Sequence, residues 1–173
     1  DLWTYVGLVE GSSIPDGDEH NLLNSLLEAW RERDLPLPSG ELGWLVKSDI
    51  PIGMGLKSSS ALLMAAVNAL STGNSVILSD NVIFNLISTI QTKASCSISG
   101  GRDDTACSHF SATWIVDANA TGTGIIEQID FPEKEVIIVL RDMQKETIDV
   151  QSFEDLRPRF EQIVLKLRNG SPI

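Results

Sequence analysis

Pro51-Ile52-Gly53-Met54-Gly55-Leu56-Lys57-Ser58-Ser59-Ser60-Ala61 is the stretch that decides how this chain folds. Its glycines, single lysine and serines stand directly before an apolar run, Ala61 to Leu70, in which Asn68 is the only polar residue. Apolar positions surround the whole helical wheel of that run, so the spacing predicts a helix buried on every side. Ser71, Thr72, Gly73 and Asn74 supply its stop. Glycines let the backbone bend and approach a ligand closely. The first amides of a helix have no internal partner, and with the helix dipole they form an anion site. Lys57 adds a full positive charge at its mouth, and Ser58, Ser59 and Ser60 offer hydroxyls to phosphate or to Mg2+. A plainer alternative is a turn in which Ser58 is a simple N-cap, but a cap requires one serine and not this constellation.

Working outward, Glu41 to Ile50 alternates as a strand, with Leu42, Trp44 and Val46 on one face. Upstream, Leu35 to Gly40 ends a helix predicted over Asp18 to Arg33, where Leu22, Leu23, Leu26, Leu27 and Trp30 keep helical spacing and Asp18 is the expected N-cap. Gly11 to Gly17 reads as a loop and Thr4 to Glu10 as a strand. Downstream, a helix is predicted over Asp80 to Lys93 and a short one over Thr105 to Phe110. Thr113 to Asp117 and Ile125 to Ile129 read as paired strands, and Glu135 to Leu140 as a buried strand. Ser152 and Asp155 form a weak capping pattern before a helix from about Pro158 to Arg168. Strands and helices mix without strict alternation, which makes the class α+β.

Ser99-Gly100-Gly101-Arg102-Asp103-Asp104 is a second glycine-bearing loop, ending in two carboxylates. Such a group can orient a hydroxyl and take its proton; alternatively, Asp103 or Asp104 merely caps the following helix. Arg102 offers a fork that fits a carboxylate, or is a solvated surface arginine, and Arg141 carries the same ambiguity. His20 and His109 lack partners at telling spacing, and the four tryptophans read as packing residues.

Composition narrows the partners. Lys and Arg number 13 against 24 Asp and Glu, a net charge of −11 that disfavours non-specific binding to nucleic acid or an anionic membrane. The 42% hydrophobic share suits a globular domain. Cys96 and Cys107 lie in no CxxC pattern, so free thiols and a cytoplasmic setting are expected, without a zinc site. Asp1 to Tyr5 has no basic stretch and no long apolar run, and Ala61 to Val67 is far short of the roughly 20 residues a membrane span needs.

Pro51, Gly55, Leu56, Ser58, Ser59 and Ala61 fall on the pattern Pro-x-x-x-Gly-Leu-x-Ser-Ser-x-Ala, and the first loop thereby resembles the phosphate loop of the GHMP kinases. A Walker A loop would need glycine where Leu56 stands. With Lys57 where many members carry a small residue, Gly-Leu-Lys-Ser-Ser-Ser-Ala resembles the archaeal type of shikimate kinase in particular. The second loop is similar to that family's Thr-Gly-Ala-Phe-Asp-Asp-Ala-like stretch through Gly100, Asp103, Asp104 and Ala106. Lys145 to Val150, followed by Leu156-Arg157-Pro158, resembles the start of the family's C-terminal half.

The resemblance implies a fold like ribosomal protein S5 domain 2 over residues 1–131, then an incomplete ferredoxin-like domain over 132–173. It implies ATP and Mg2+ as cofactors and transfer of phosphate to a hydroxyl of shikimate, with homoserine and mevalonate kinases as alternatives. ATP would lie on Pro51, Gly53, Gly55, Leu56, Lys57, Ser58, Ser59 and Ser60, with Ser59 also on the metal. Asp103 would face the acceptor hydroxyl, with Asp104 as the other choice of register, and Gly100, Gly101 and Arg102 would line the acceptor. The family's first and third motifs have no counterpart here. The glutamate often found on the helix before the second loop is absent too, because no acidic residue lies between Asp80 and Asp103. A non-catalytic remnant of the family is therefore the alternative of another class.

Overall fold

The computed structural model describes residues 2–11, 15, 18, 20–110, 113–129 and 157–169. The elements are β1 (Thr4–Glu10), α1 (Leu22–Arg31), β2 (Leu42–Ser48), α2 (Ser58–Gly73), α3 (Asp80–Lys93), α4 (Arg102–His109), β3 (Thr113–Val116), β4 (Ile125–Ile129) and α5 (Arg157–Arg168). Helix and sheet are mixed, as the class α+β requires. The expected domain boundary at 131, the strand at Glu135 to Leu140, the Ser152/Asp155 pattern, Arg141 and the segment from Lys145 lie outside the described residues.

β1 and β2 pair antiparallel, with Val6 opposite Val46 and Leu8 opposite Trp44. Alternation turns Val6, Leu8, Leu42, Trp44 and Val46 toward the core and leaves Tyr5, Val9 and Leu45 on the outer face. β3 and β4 form a second antiparallel pair, irregular between Ile115 and Val116. Arg168 of α5 pairs with Glu127 of β4 at 2.7 Å.

α2 lies at the centre, against β1, α1, α3 and α4. Leu63, Ala66, Val67 and Leu70 are fully buried. Burying a leucine or valine side chain stabilises by about 1.5–3 kcal/mol. The encircling apolar pattern therefore has the meaning expected of it, and Asn68 alone in the run is exposed. The helix runs on through Ser71 and Thr72 to Gly73, and the Asn74 side chain then donates to the Leu70 carbonyl at 2.8 Å.

Two helix starts differ from expectation. α1 begins at Leu22, not Asp18, because Asn21 sits in the left-handed region (φ 55°). Asp18 still serves the helix end, its carboxylate accepting from the amides of Leu22 (2.7 Å) and Leu23 (2.9 Å). α4 begins at Arg102, before the predicted Thr105, because Gly101 provides a left-handed N-cap (φ 62°). Asp103 and Asp104 are consequently helical residues, not the end of a loop.

Candidate active site

The β2–α2 connection turns through left-handed backbone at Gly53 (φ 72°), Gly55 (φ 76°) and Lys57 (φ 65°). For a lysine that conformation costs of order 1–3 kcal/mol. Lys57 occupies the N-cap position of α2, and no side chain caps the helix. Ser58 is thus the first helical residue, and the reading of it as a simple cap fails. The first hydrogen bond of the helix runs from the Ala61 amide to the Lys57 carbonyl at 3.2 Å. The amides of Ser58, Ser59 and Ser60 therefore open the helix without intrahelical partners. A Cβ built on Gly55 would meet nothing within 4 Å, so the space over the turn is open.

The serines diverge in their surroundings. Ser58 and Ser59 are half-buried at the mouth. Ser60 is fully buried, and its hydroxyl oxygen accepts from Gln91 Nε2 of α3 at 2.7 Å. Pro51, Gly53 and Leu56 are half-buried along the turn.

The second turn packs against this mouth. α4 lies against α2, and Lys57 Nζ forms an ion pair with Asp104 Oδ1 and lies 3.8 Å from Asp103 Oδ2. Both carboxylates sit in the first turn of α4, where the helix dipole favours negative charge, and neither makes a capping bond. Asp103 is the more accessible, with a side chain 54% exposed against 14% for Asp104. One lysine thus joins the two loops that the sequence singled out.

The charges shape one another. Burial acts on the Lys57 ammonium to lower its pKa, but the hydrogen bond and charge of Asp104, with Asp103 behind it, outweigh burial and hold it above 10.5. Asp104 is held above the ordinary carboxylate value, first by burial and then by the like charge of Asp103, which together exceed the opposing pull of Lys57. The Cys107 thiol is pushed up by desolvation and by Asp104 and Asp103, so it is not a ready nucleophile.

Gly100 (φ 77°) and Gly101 (φ 62°) are buried and left-handed. A Cβ on Gly100 would collide with Ser88 Oγ, and one on Gly101 with Gln91 Oε1, so both glycines are demanded by close packing on α3. Arg102 is 7% exposed, which excludes a solvated surface arginine. Its Nη2 donates to Asn85 Oδ1 at 2.9 Å, and the same oxygen accepts from the Gly122 amide at 3.0 Å. The fork therefore ties α4 to α3 and to the β3–β4 turn. His109 lies apart from the site, bonded to Asp80 at 2.9 Å and edge-on to Phe110.

The open turn, its unpaired amides and the half-exposed Lys57 suit a polyphosphate. Among the described residues no group of three His, Cys, Asp or Glu side chains could hold a metal ion. Mg2+ would fit with the Ser59 hydroxyl only if phosphate oxygens completed its shell. No helix among the described residues is long and apolar enough to cross a membrane.

Sequence reasoning passed over the role of Gln91. Its signal was a lone polar residue on the buried stripe Ile83, Phe84, Ile87 and Ile90 of α3. Asn85, on the exposed side, carried no such signal.

Comparison with known proteins agrees with this arrangement. The chain is similar to a shikimate kinase of Thermococcus kodakarensis, 25% identical over 178 residues that cover 95% of this chain and 63% of the relative. It is similar to a shikimate kinase of Pyrococcus abyssi, 30% identical over 155 residues, 82% of this chain and 54% of the relative. For one of Pyrococcus furiosus the figures are 28% over 149 residues, 81% and 53%. The chain thus spans between about half and two thirds of the length of these relatives. No solved structure matches the chain with significance. The model of the GHMP kinases N terminal domain matches residues 21–112, more than half of the chain and the span that contains both loops. The chain belongs to the GHMP kinases.

Proposed function

We propose that this chain carries the nucleotide-binding and acid-bearing parts of an ATP-dependent kinase that phosphorylates a hydroxyl of shikimate in the cytoplasm. The observation that carries the reading is the Lys57 ion pair, which brings the N-terminus of α2 and the carboxylates of α4 to one place. Phosphoryl transfer demands little covalent chemistry from the protein; positioning and charge stabilisation do most of it. The amides of Ser58 to Ser60 and the turn from Pro51 through Gly53, Gly55 and Leu56 would hold the phosphates of ATP. Lys57 would offset their charge, and Ser59 would supply one oxygen to Mg2+, which when bound neutralises charge building on the phosphates.

Asp103, exposed on the first turn of α4, would orient the acceptor hydroxyl and take its proton. Asp104 would hold Lys57. Gly100 and Gly101 would shape the acceptor side, and Arg102, engaged with Asn85, would fix the direction of α4. The names of the relatives support shikimate over homoserine or mevalonate.

A second reading, a family member that no longer catalyses, is favoured by the lack of any acid between Asp80 and Asp103. A coupled assay of ADP release from Mg·ATP with shikimate, homoserine and mevalonate separates the readings. Turnover with shikimate alone is expected. Turnover only with another alcohol moves the substrate, and none with any, beside weak Mg·ATP binding, establishes the non-catalytic reading.

A further inference from the structure

We infer that Gln91 is a positioning residue that sets the spacing between the phosphate-binding turn and the acid-bearing turn, an inference that rests on the kinase reading above. Gln91 is fully buried. Its Nε2 donates to the Ser60 hydroxyl in the first turn of α2 at 2.7 Å. Its Oε1 has no hydrogen-bond partner and lies against Gly101, the N-cap of α4, closely enough that a methyl group there would collide with it. The main-chain oxygen of Gln91 also accepts from the Cys96 amide at 3.0 Å, at the start of the connection to α4. A single side chain therefore touches the first turn of one helix and the cap of the other.

Burying an amide with its oxygen unpaired is costly, and an apolar side chain of similar size would pack there without that penalty. The bond that Gln91 does make to Ser60 is a directional contact that an apolar side chain would not supply. The two turns are joined at two levels. On the solvent side Lys57 meets Asp104, and beneath it Gln91 meets Ser60 and Gly101. When a phosphate chain draws Lys57 away from Asp104, the lower junction remains to set the distance of the carboxylates from the amides. Gln91 is shut away from solvent and acts through Ser60 and Gly101.

The test uses Gln91→Met, which keeps volume but loses the donor, with Ser60→Ala and the double variant, each compared with the parent chain. With shikimate and Mg·ATP, each single variant is expected to lower kcat by up to roughly 10²-fold, as small misplacements do, with KM for nucleotide near the parent value. The double variant is expected to lose no more than either single one. A Gln91→Met chain with parental kcat, or losses that multiply in the double variant, would overturn the inference. If the parent turns over none of the three alcohols, the kinase reading fails on its own. The junction is then judged by amide NMR, where Gln91→Met is expected to shift both Ser59 and Asp103. Movement of only one, or of neither, refutes it. Should Gln91→Met not fold, Ser60→Ala carries the same two readouts.

Discussion

Asp103 and Asp104 are neighbours in sequence with the same chemistry, yet their surroundings divide the work between them. Asp104 is drawn to Lys57 and largely shielded, whereas about half of the Asp103 side chain stays in solvent. Replacing Asp103 by Asn preserves shape and removes the proton acceptor, so kcat should fall by about 10²–10⁴-fold while KM for ATP stays close to the parent value. An unchanged kcat in steady-state assays would remove Asp103 from the mechanism. The Lys57–Asp104 pair makes a separate prediction. Lys57 is the lowering influence on Asp104, so Lys57→Met should raise the Asp104 pKa further, as read by carboxyl NMR titration. The folded pKa of Lys57 lies above 10.5, so its favourable contribution is complete below 10.5 and is lost as pH rises through the folded value. Alkaline unfolding of the parent should therefore contain a component that Lys57→Met lacks. Asp104, also raised, favours folding most at acid pH below 3.8 and loses that contribution as pH rises through its folded value.

At the scale of elements, α2 does two jobs at once. Its body is enclosed by β1, α1, α3 and α4, and its N-terminus opens on the site. Leu63 is fully buried in that body, so Leu63→Ala should cost about 2–5 kcal/mol in urea unfolding. A loss much below that range would mean that the helix is not the centre of the core. The β2–α2 turn was legible in advance because each of its residues has a local reason: glycine for bending, lysine for charge, serines before an apolar run. The start of α4 was not. Its N-cap glycine, Gly101, takes a left-handed conformation that local pattern alone cannot distinguish from an ordinary loop glycine, and its close packing against Gln91 of α3 leaves no room for a side chain.

For the molecule as a whole, a net charge of −11 opposes the approach of a polyanion, so binding must come from the local cluster of amides and Lys57. Saturating Mg·ATP should stabilise the chain by linkage, about 2.7 kcal/mol at a hundredfold excess over Kd. A thermal melt insensitive to Mg·ATP would contradict the site. The order of the described elements, the enclosed helix, the inward face of β2 and the candidate residues of both loops followed from the amino-acid sequence alone, because propensity, periodicity and turn chemistry act over a few neighbouring residues. That Ser60 turns from the mouth to meet Gln91, 31 positions away, that Arg102 is buried against Asn85, and that the half-exposed Lys57 pairs with Asp104 were decided only when α2, α3 and α4 packed together. Contacts between segments distant in the chain depend on how whole faces interlock, and no short stretch of residues encodes that.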